Sequence, residues 1–75
     1  MLKVRDHNGF RPLSSIDQYY IRDTAEFAVY INDYRICRFA KGTDSQVYDV
    51  KVHRADLFAA HLARISHILV LYAEQ

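Results

Sequence analysis

The groups in this chain that could do chemistry are four histidines, one cysteine and scattered aspartates, and their spacing assembles no reaction centre. His61 and His67 stand six residues apart, roughly 120° out of phase at about 3.6 residues per helical turn. One helix cannot aim both at one metal ion, and His7 and His53 belong to other segments. Cys37 is the only cysteine, so the chain offers no thiolate pair for zinc and no internal disulfide. As a nucleophile Cys37 would need a base beside it. The strand register derived below sets it next to Asp49, and a neighbouring carboxylate raises a thiol pKa. The aspartates fall at turns and strand ends, where Asp serves the backbone. With only Gly9 and Gly42 there is no glycine-rich phosphate loop. The expectation is a protein that is not an enzyme, with no metal site and no cofactor.

Another group of residues suggests binding. Tyr30, Arg35 and Lys51 are expected in a row across three strands, with Ala28, Cys37 and Asp49 beside them, then Glu26, Phe39 and Val47. Like charges directly opposite each other on a sheet are destabilising. Arg35 beside Lys51 therefore needs a reason, and Tyr30 can stack on the Arg35 guanidinium. Tyr and Arg are enriched among interface hot spots, and aromatics generally at interfaces. Tyr30, Arg35, Phe39 and Lys51 are accordingly the expected partner-binding residues. Arg38 is expected on the inner face, its stem lying between Phe27 and Tyr48.

The elements that must hold this face read as follows. Residues 26–39 form a hairpin, since Phe27, Val29 and Ile31 alternate with Ala28 and Tyr30, and Tyr34 and Ile36 alternate with Arg35 and Cys37. Asn32-Asp33 is its two-residue turn. This turn pairs Ile31 with Tyr34, Val29 with Ile36 and Phe27 with Arg38. A third strand, 46–52, alternates Tyr48, Val50 and Val52 outward from the connection 41–45. Parity selects five connecting residues, which pair Arg38 with Tyr48, Ile36 with Val50 and Tyr34 with Val52 on one apolar face.

Leu57, Phe58, His61, Leu62, Ile65, Ile68, Leu69 and Tyr72 recur at helical spacing. They predict one C-terminal helix from residue 54 to 72 covering that face, with Leu62 and Ile65 central. The rival reading makes 67–72 a strand. Upstream, Asn8-Gly9 marks a short hairpin arm within residues 1–13, weakened by Pro12. Residues 14–23 read as a short helix or turn, with Ser14 as cap and Asp17 as the acid of a capping box. In that helix Ile16, Tyr19 and Tyr20 share a face. The fold class is α+β: a three-stranded antiparallel sheet packed on a C-terminal helix.

Size and charge bound the rest. At 75 residues the chain holds one small domain, 1–75, whose stability is a few kcal/mol. A hydrophobic share of 51% with 25% charged residues fits a folded protein rather than a disordered tail. A net charge of +1 gives no global pull toward nucleic acid or a membrane surface, so any electrostatic function is local. The apolar run 68–72 is far short of the roughly 20 residues of a membrane span. The lone cysteine suits a reducing compartment, and the cytoplasm is expected. Starting at Met1 with no tag or leader, the chain reads as a complete gene product.

In outline only, a helix, three strands and a helix over residues 14–72 resemble the double-stranded-RNA-binding domain. That family begins its last helix with a lysine-rich stretch, where His53-Arg54-Ala55-Asp56 stands here, so no function is carried across. The expected function is a small protein-binding module: an inhibitor, adaptor or regulatory accessory factor of the kind phages and mobile elements encode. Its expected partner is a protein. The alternative is nucleic-acid binding through Tyr30, Arg35, Lys51 and Arg54. A homodimer is a further expectation, because Tyr30, Phe39 and the 68–72 run hold more apolar surface than a small monomer easily covers.

Overall fold

The computed structural model describes residues 1–41 and 48–74. It is an α+β fold in which an antiparallel sheet carries helices on one side. The chain opens with a hairpin, β1 (Leu2–Asp6) and β2 (Gly9–Pro12). A 3₁₀ turn (Leu13–Ser15) and a short helix, α1 (Gln18–Asp23), follow. Strands β3 (Glu26–Ile31), β4 (Tyr34–Lys41) and β5 (Tyr48–Val52) come next, then helices α2 (Ala55–Ala60) and α3 (Leu62–Ala73). Among the described residues the sheet has five strands in the order β2-β1-β3-β4-β5, not three. The N-terminal hairpin is therefore part of the sheet. β1 pairs along β3, and Leu2 and Val4 are buried while Lys3 and Arg5 point the other way.

The two hairpin turns place positive φ on single residues. In the first, His7 and Asn8 lie between the paired Asp6 and Gly9, and only Gly9 has positive φ, at 111°. Asn8 and Gly9 are thus not jointly left-handed as the dipeptide suggested. Asp6 Oδ1 accepts from the Asn8 N–H at 2.8 Å and fixes this turn. In the second, Asn32 alone takes the left-handed region, at φ 52°.

Beyond the second turn, β3 and β4 begin in the expected register, with Ile31 opposite Tyr34 and Tyr30 opposite Arg35. The register then shifts. Val29 faces Cys37, so Ile36 is the extra residue of a β-bulge. The rest of β4 past it changes sides relative to the alternation reading. Cys37 and Phe39, expected on the open face, join Phe27 and Val29 in the core. Arg38, expected between Phe27 and Tyr48, sits opposite Ala28 on the open face. The exchange is favourable on both counts. Burying a Phe side chain contributes about 1.5–3 kcal/mol, and the guanidinium escapes a desolvation cost of several kcal/mol.

The β4–β5 register shifts with it. Cys37 faces Val52, Phe39 faces Val50 and Lys41 faces Tyr48. Val29 and Val50 still share the helix side, by way of Cys37 and Phe39. Of the expected connection 41–45, Lys41 ends β4, and residues 42–45 lie outside the described residues together with Gln46 and Val47.

The helices depart from expectation at their ends. Asp17, not Ser14, caps α1, its carboxylate accepting from the Tyr20 N–H at 2.8 Å. Ile16 and Ile21 are buried while Tyr19 is exposed. The C-terminal segment is helical through Ala73, so the strand reading of 67–72 does not hold. It is two helices, because His61 (φ −115°, ψ 21°) breaks it. No Gly or Pro marks the break. It rotates Leu62 out to 46% exposure and leaves Ile65, Ile68 and Tyr72 as the buried stripe of α3.

The core closes around an aromatic cluster. Phe27 and Phe39 stack with ring centres 4.9 Å apart. Tyr72 meets both edge-on, at 6.0 and 5.3 Å, and Tyr20 meets Phe27 at 5.9 Å. Tyr20 also donates its hydroxyl to Asp6 at 2.8 Å, tying α1 to the hairpin. The 68–72 run, expected to be left over for a partner, is largely covered within the monomer, with Ile68 and Tyr72 buried and Leu69 and Leu71 packed against the core.

This arrangement sets unequal costs for neighbouring residues. Phe39→Ala should cost about 3–5 kcal/mol in urea unfolding, close to the whole stability. Arg38→Ala and Leu62→Ala should each stay within about 0.5–1 kcal/mol. Equal losses at Phe39 and Arg38 would contradict the bulge.

Candidate functional site

The sheet face away from the helices is the candidate site. Antiparallel pairing lines its side chains up in rows. One row runs Phe10, Arg5, Ala28, Arg38, Lys51 across all the strands. The next runs Pro12, Lys3, Tyr30, Arg35. On the other side lie Glu26, Ala40 and Asp49. The face is therefore polarised, cationic through the middle with its carboxylates at one end. The alternation of β1 and β3 and the bulge in β4 together produce this: without the bulge, Cys37 would stand opposite Ala28 where Arg38 does, and Phe39 would lie on the open face opposite Glu26.

Ala28 is nearly buried between Arg5 and Arg38, and its small side chain leaves a depression of about 530 Å³. Arg5, Tyr30, Arg35 and Arg38 line it together with three carboxylates, Glu26, Asp6 and Asp23. Arg38 reaches Glu26 at 3.5 Å in an exposed pair, worth little in water. Arg38 also lies directly opposite Lys51. This is the like-charge neighbour that the alternation reading assigned to Arg35.

The aromatic groups on this face are already engaged. Phe10 meets Tyr30 edge-on at 5.4 Å, and Lys3 and Arg5 lie over the Phe10 ring at 4.9 and 5.5 Å. Arg35 donates its Nε to the Tyr30 hydroxyl at 3.0 Å. Its guanidinium carbon is 5.6 Å from the ring centre, so the contact lies at the hydroxyl end rather than over the whole ring. Burial pushes the Tyr30 phenol up, but the hydrogen bonding and charge of Arg35 and Arg5 outweigh it and hold the phenol below the ordinary tyrosine range.

Of the expected site residues, Tyr30, Arg35 and Lys51 are on this face, although Lys51 pairs with Arg38 rather than Arg35. Phe39 is not, being fully buried. Arg54, named for a nucleic-acid alternative, is turned elsewhere. It lies over Tyr34 at 5.0 Å and pairs with Asp56 at 2.9 Å. The alternation reading missed Lys3, Arg5, Phe10 and Arg38. The strand pattern of β1 signalled the first two, and the three-residue spacing of Arg35 and Arg38 signalled the last, since strict alternation cannot place both on one face.

Cys37 is buried in the core, and burial pushes its thiol up to about 12. A thiol so placed is protonated at neutral pH and poorly nucleophilic. Among the described residues, no three His, Cys, Asp or Glu side chains gather where they could share a metal ion. Nor is any helix among them long and apolar enough to cross a membrane. Comparison with protein families, characterised proteins and solved structures finds no match to this chain.

The electrostatics of the face can be read at Tyr30. Arg35 stabilises the tyrosinate form relative to an isolated tyrosine, and with it removed burial regains weight. Arg35→Ala should therefore raise the Tyr30 pKa, as followed by NMR titration of ring-labelled tyrosine. An unchanged or lowered pKa would show that Arg35 does not act on this ring.

Proposed function

We propose that this chain is a non-catalytic protein-binding module that docks its open sheet face on an acidic patch of a partner protein. It acts there as an inhibitor, adaptor or regulatory accessory factor, and the cytoplasm is its proposed location. The observation that carries this reading is the row Arg5, Ala28, Arg38, Lys51 on a face that no helix among the described residues covers. Holding Arg38 opposite Lys51 costs the free protein stability, and carboxylates of a partner would offset it. Ala28 keeps the centre of the row low, so a partner side chain can reach between Arg5 and Arg38 and form bidentate contacts. A chain of this size fits the accessory factors that phages and mobile elements encode.

Nucleic acid is the second reading, favoured by the cations alone. Sequence-tolerant binding of single strands relies on aromatic planes open to stacking. Here Tyr30 is nearly buried and Phe39 belongs to the core, while Phe10, 53% exposed, already carries Lys3 and Arg5 against its ring. A protein surface suits this face better.

The test is capture of partners from the source cell, followed by calorimetry of the identified complex with wild type and with Arg5→Ala/Arg38→Ala. Both residues are solvent-facing, so the double variant should melt close to wild type. It should bind at least about thirtyfold more weakly, the loss expected when hot-spot side chains are removed. Undiminished affinity in the folded variant would remove this face as the site. Binding to oligonucleotides with a log–log salt slope near −0.9 per duplex phosphate contact would favour the second reading.

A further inference from the structure

The sheet ends in two edges of different character. The β2 edge is only Gly9–Pro12, and Pro12 has no N–H to offer a neighbour. Such an edge is protected against pairing. The β5 edge, Tyr48–Val52, has no proline, and among the described residues β5 has only β4 as a strand partner. The ladder phase on β5 is fixed by the His53 N–H, which donates to the Ile36 carbonyl at 2.8 Å. Residues 36 and 53 continue the β4–β5 register, so 51 and 49 likewise exchange hydrogen bonds with β4. The N–H and C=O groups of Tyr48, Val50 and Val52 therefore point out from the sheet edge.

We infer that β5 is a homodimerisation edge, pairing antiparallel with β5 of a second copy about a two-fold axis at Val50. Only outward-pointing residues can exchange hydrogen bonds across this axis, and the Val50-centred register matches them: Val50 with its own copy, and Tyr48 with Val52 in both directions. The same register sets Asp49 of each chain directly opposite Lys51 of the other. Both are exposed on the open face. They fall at the non-hydrogen-bonded positions, where cross-strand side chains stand closest. Slipping the pair by two residues either way keeps the backbone in phase but sets Asp49 against Asp49 or Lys51 against Lys51. The edge is thus self-complementary in backbone phase and charge at one register, as an isologous interface requires. Two sheets would join into one, with both cationic faces on the same side. This inference does not rest on what those faces bind, although Lys51 belongs to both, and its test reads oligomeric state alone. It also replaces the earlier ground for a dimer, since Phe39, Tyr30, Ile68 and Tyr72 are buried within the monomer.

Sedimentation velocity over a range of protein concentrations tests the pairing. Wild type should show a concentration-dependent monomer–dimer equilibrium. Asp49→Lys and Lys51→Asp each turn two attractive pairs per dimer into repulsive ones and should weaken the dimer by about tenfold or more, with folding unchanged by circular dichroism. An equal mixture of these two variants should dimerise again, because each then meets its opposite. The double variant Asp49→Lys/Lys51→Asp should dimerise alone. A wild type that stays monomeric at the highest soluble concentration overturns the inference. So does a dimer that the single variants leave intact, or one that the mixture and the double exchange fail to restore.

Discussion

Phe27 stacks on Phe39 at 4.9 Å only because Ile36 is an extra residue in β4. No regular strand solves the packing problem that the segment Arg35-Ile36-Cys37-Arg38-Phe39 sets. Ile36 and Phe39 are three apart, as are Arg35 and Arg38, while side chains on a strand return to one face every second residue. In either phase one arginine is buried and one large apolar residue exposed. The bulge absorbs the odd residue. Ile36, Cys37 and Phe39 are all buried, and both arginines face out.

The rest of the molecule follows from that sorting. On the inner side Phe39 completes the ring cluster with Phe27 and Tyr72, which fastens α3 to the centre of the sheet. Tyr20 extends the cluster to α1, and its hydrogen bond to Asp6 carries it on to the N-terminal hairpin. Burial pushes the Asp6 carboxyl up, but the Tyr20 and Asn8 hydrogen bonds and the nearby Arg11 and His7 charges outweigh it and leave it below the usual carboxylate range. The same hydrogen bond adds to burial in driving the Tyr20 phenol well above the tyrosine range. On the outer side the bulge adds Arg38 to the cations of β1 and β5, and the face becomes a charged platform rather than an aromatic one.

Much of this was legible in the residues. Antiparallel strands over 26–31 and 34–39, the Asn32-Asp33 turn, helix after residue 54 and the outward placement of Tyr30, Arg35 and Lys51 all follow from alternation and turn chemistry. Other features depend on contacts that alternation does not encode. No turn joins β1 to β3. Their pairing spans the intervening hairpin and helix, and only the burial of Leu2 and Val4 beside Val29 and Ile31 selects it. The break at His61 has no glycine or proline to announce it, and Leu62 lies at a spacing that a continuous helix would bury. Phe39 was placed on the open face because a two-residue turn was extended as an unbroken ladder. The odd spacing of the arginines was the available sign that it could not be.

Which side of the sheet Arg38 and Phe39 occupy decides the core and the binding face together. Nuclear Overhauser contacts among the side chains of β3 and β4 measure it directly. The bulged register predicts ring-to-ring contacts between Phe27 and Phe39, and contacts from the Ala28 methyl to both Arg5 and Arg38. Contacts from Phe27 to the Arg38 side chain, with the Phe39 ring instead against Glu26 and Cys37 near the Ala28 methyl, would contradict it.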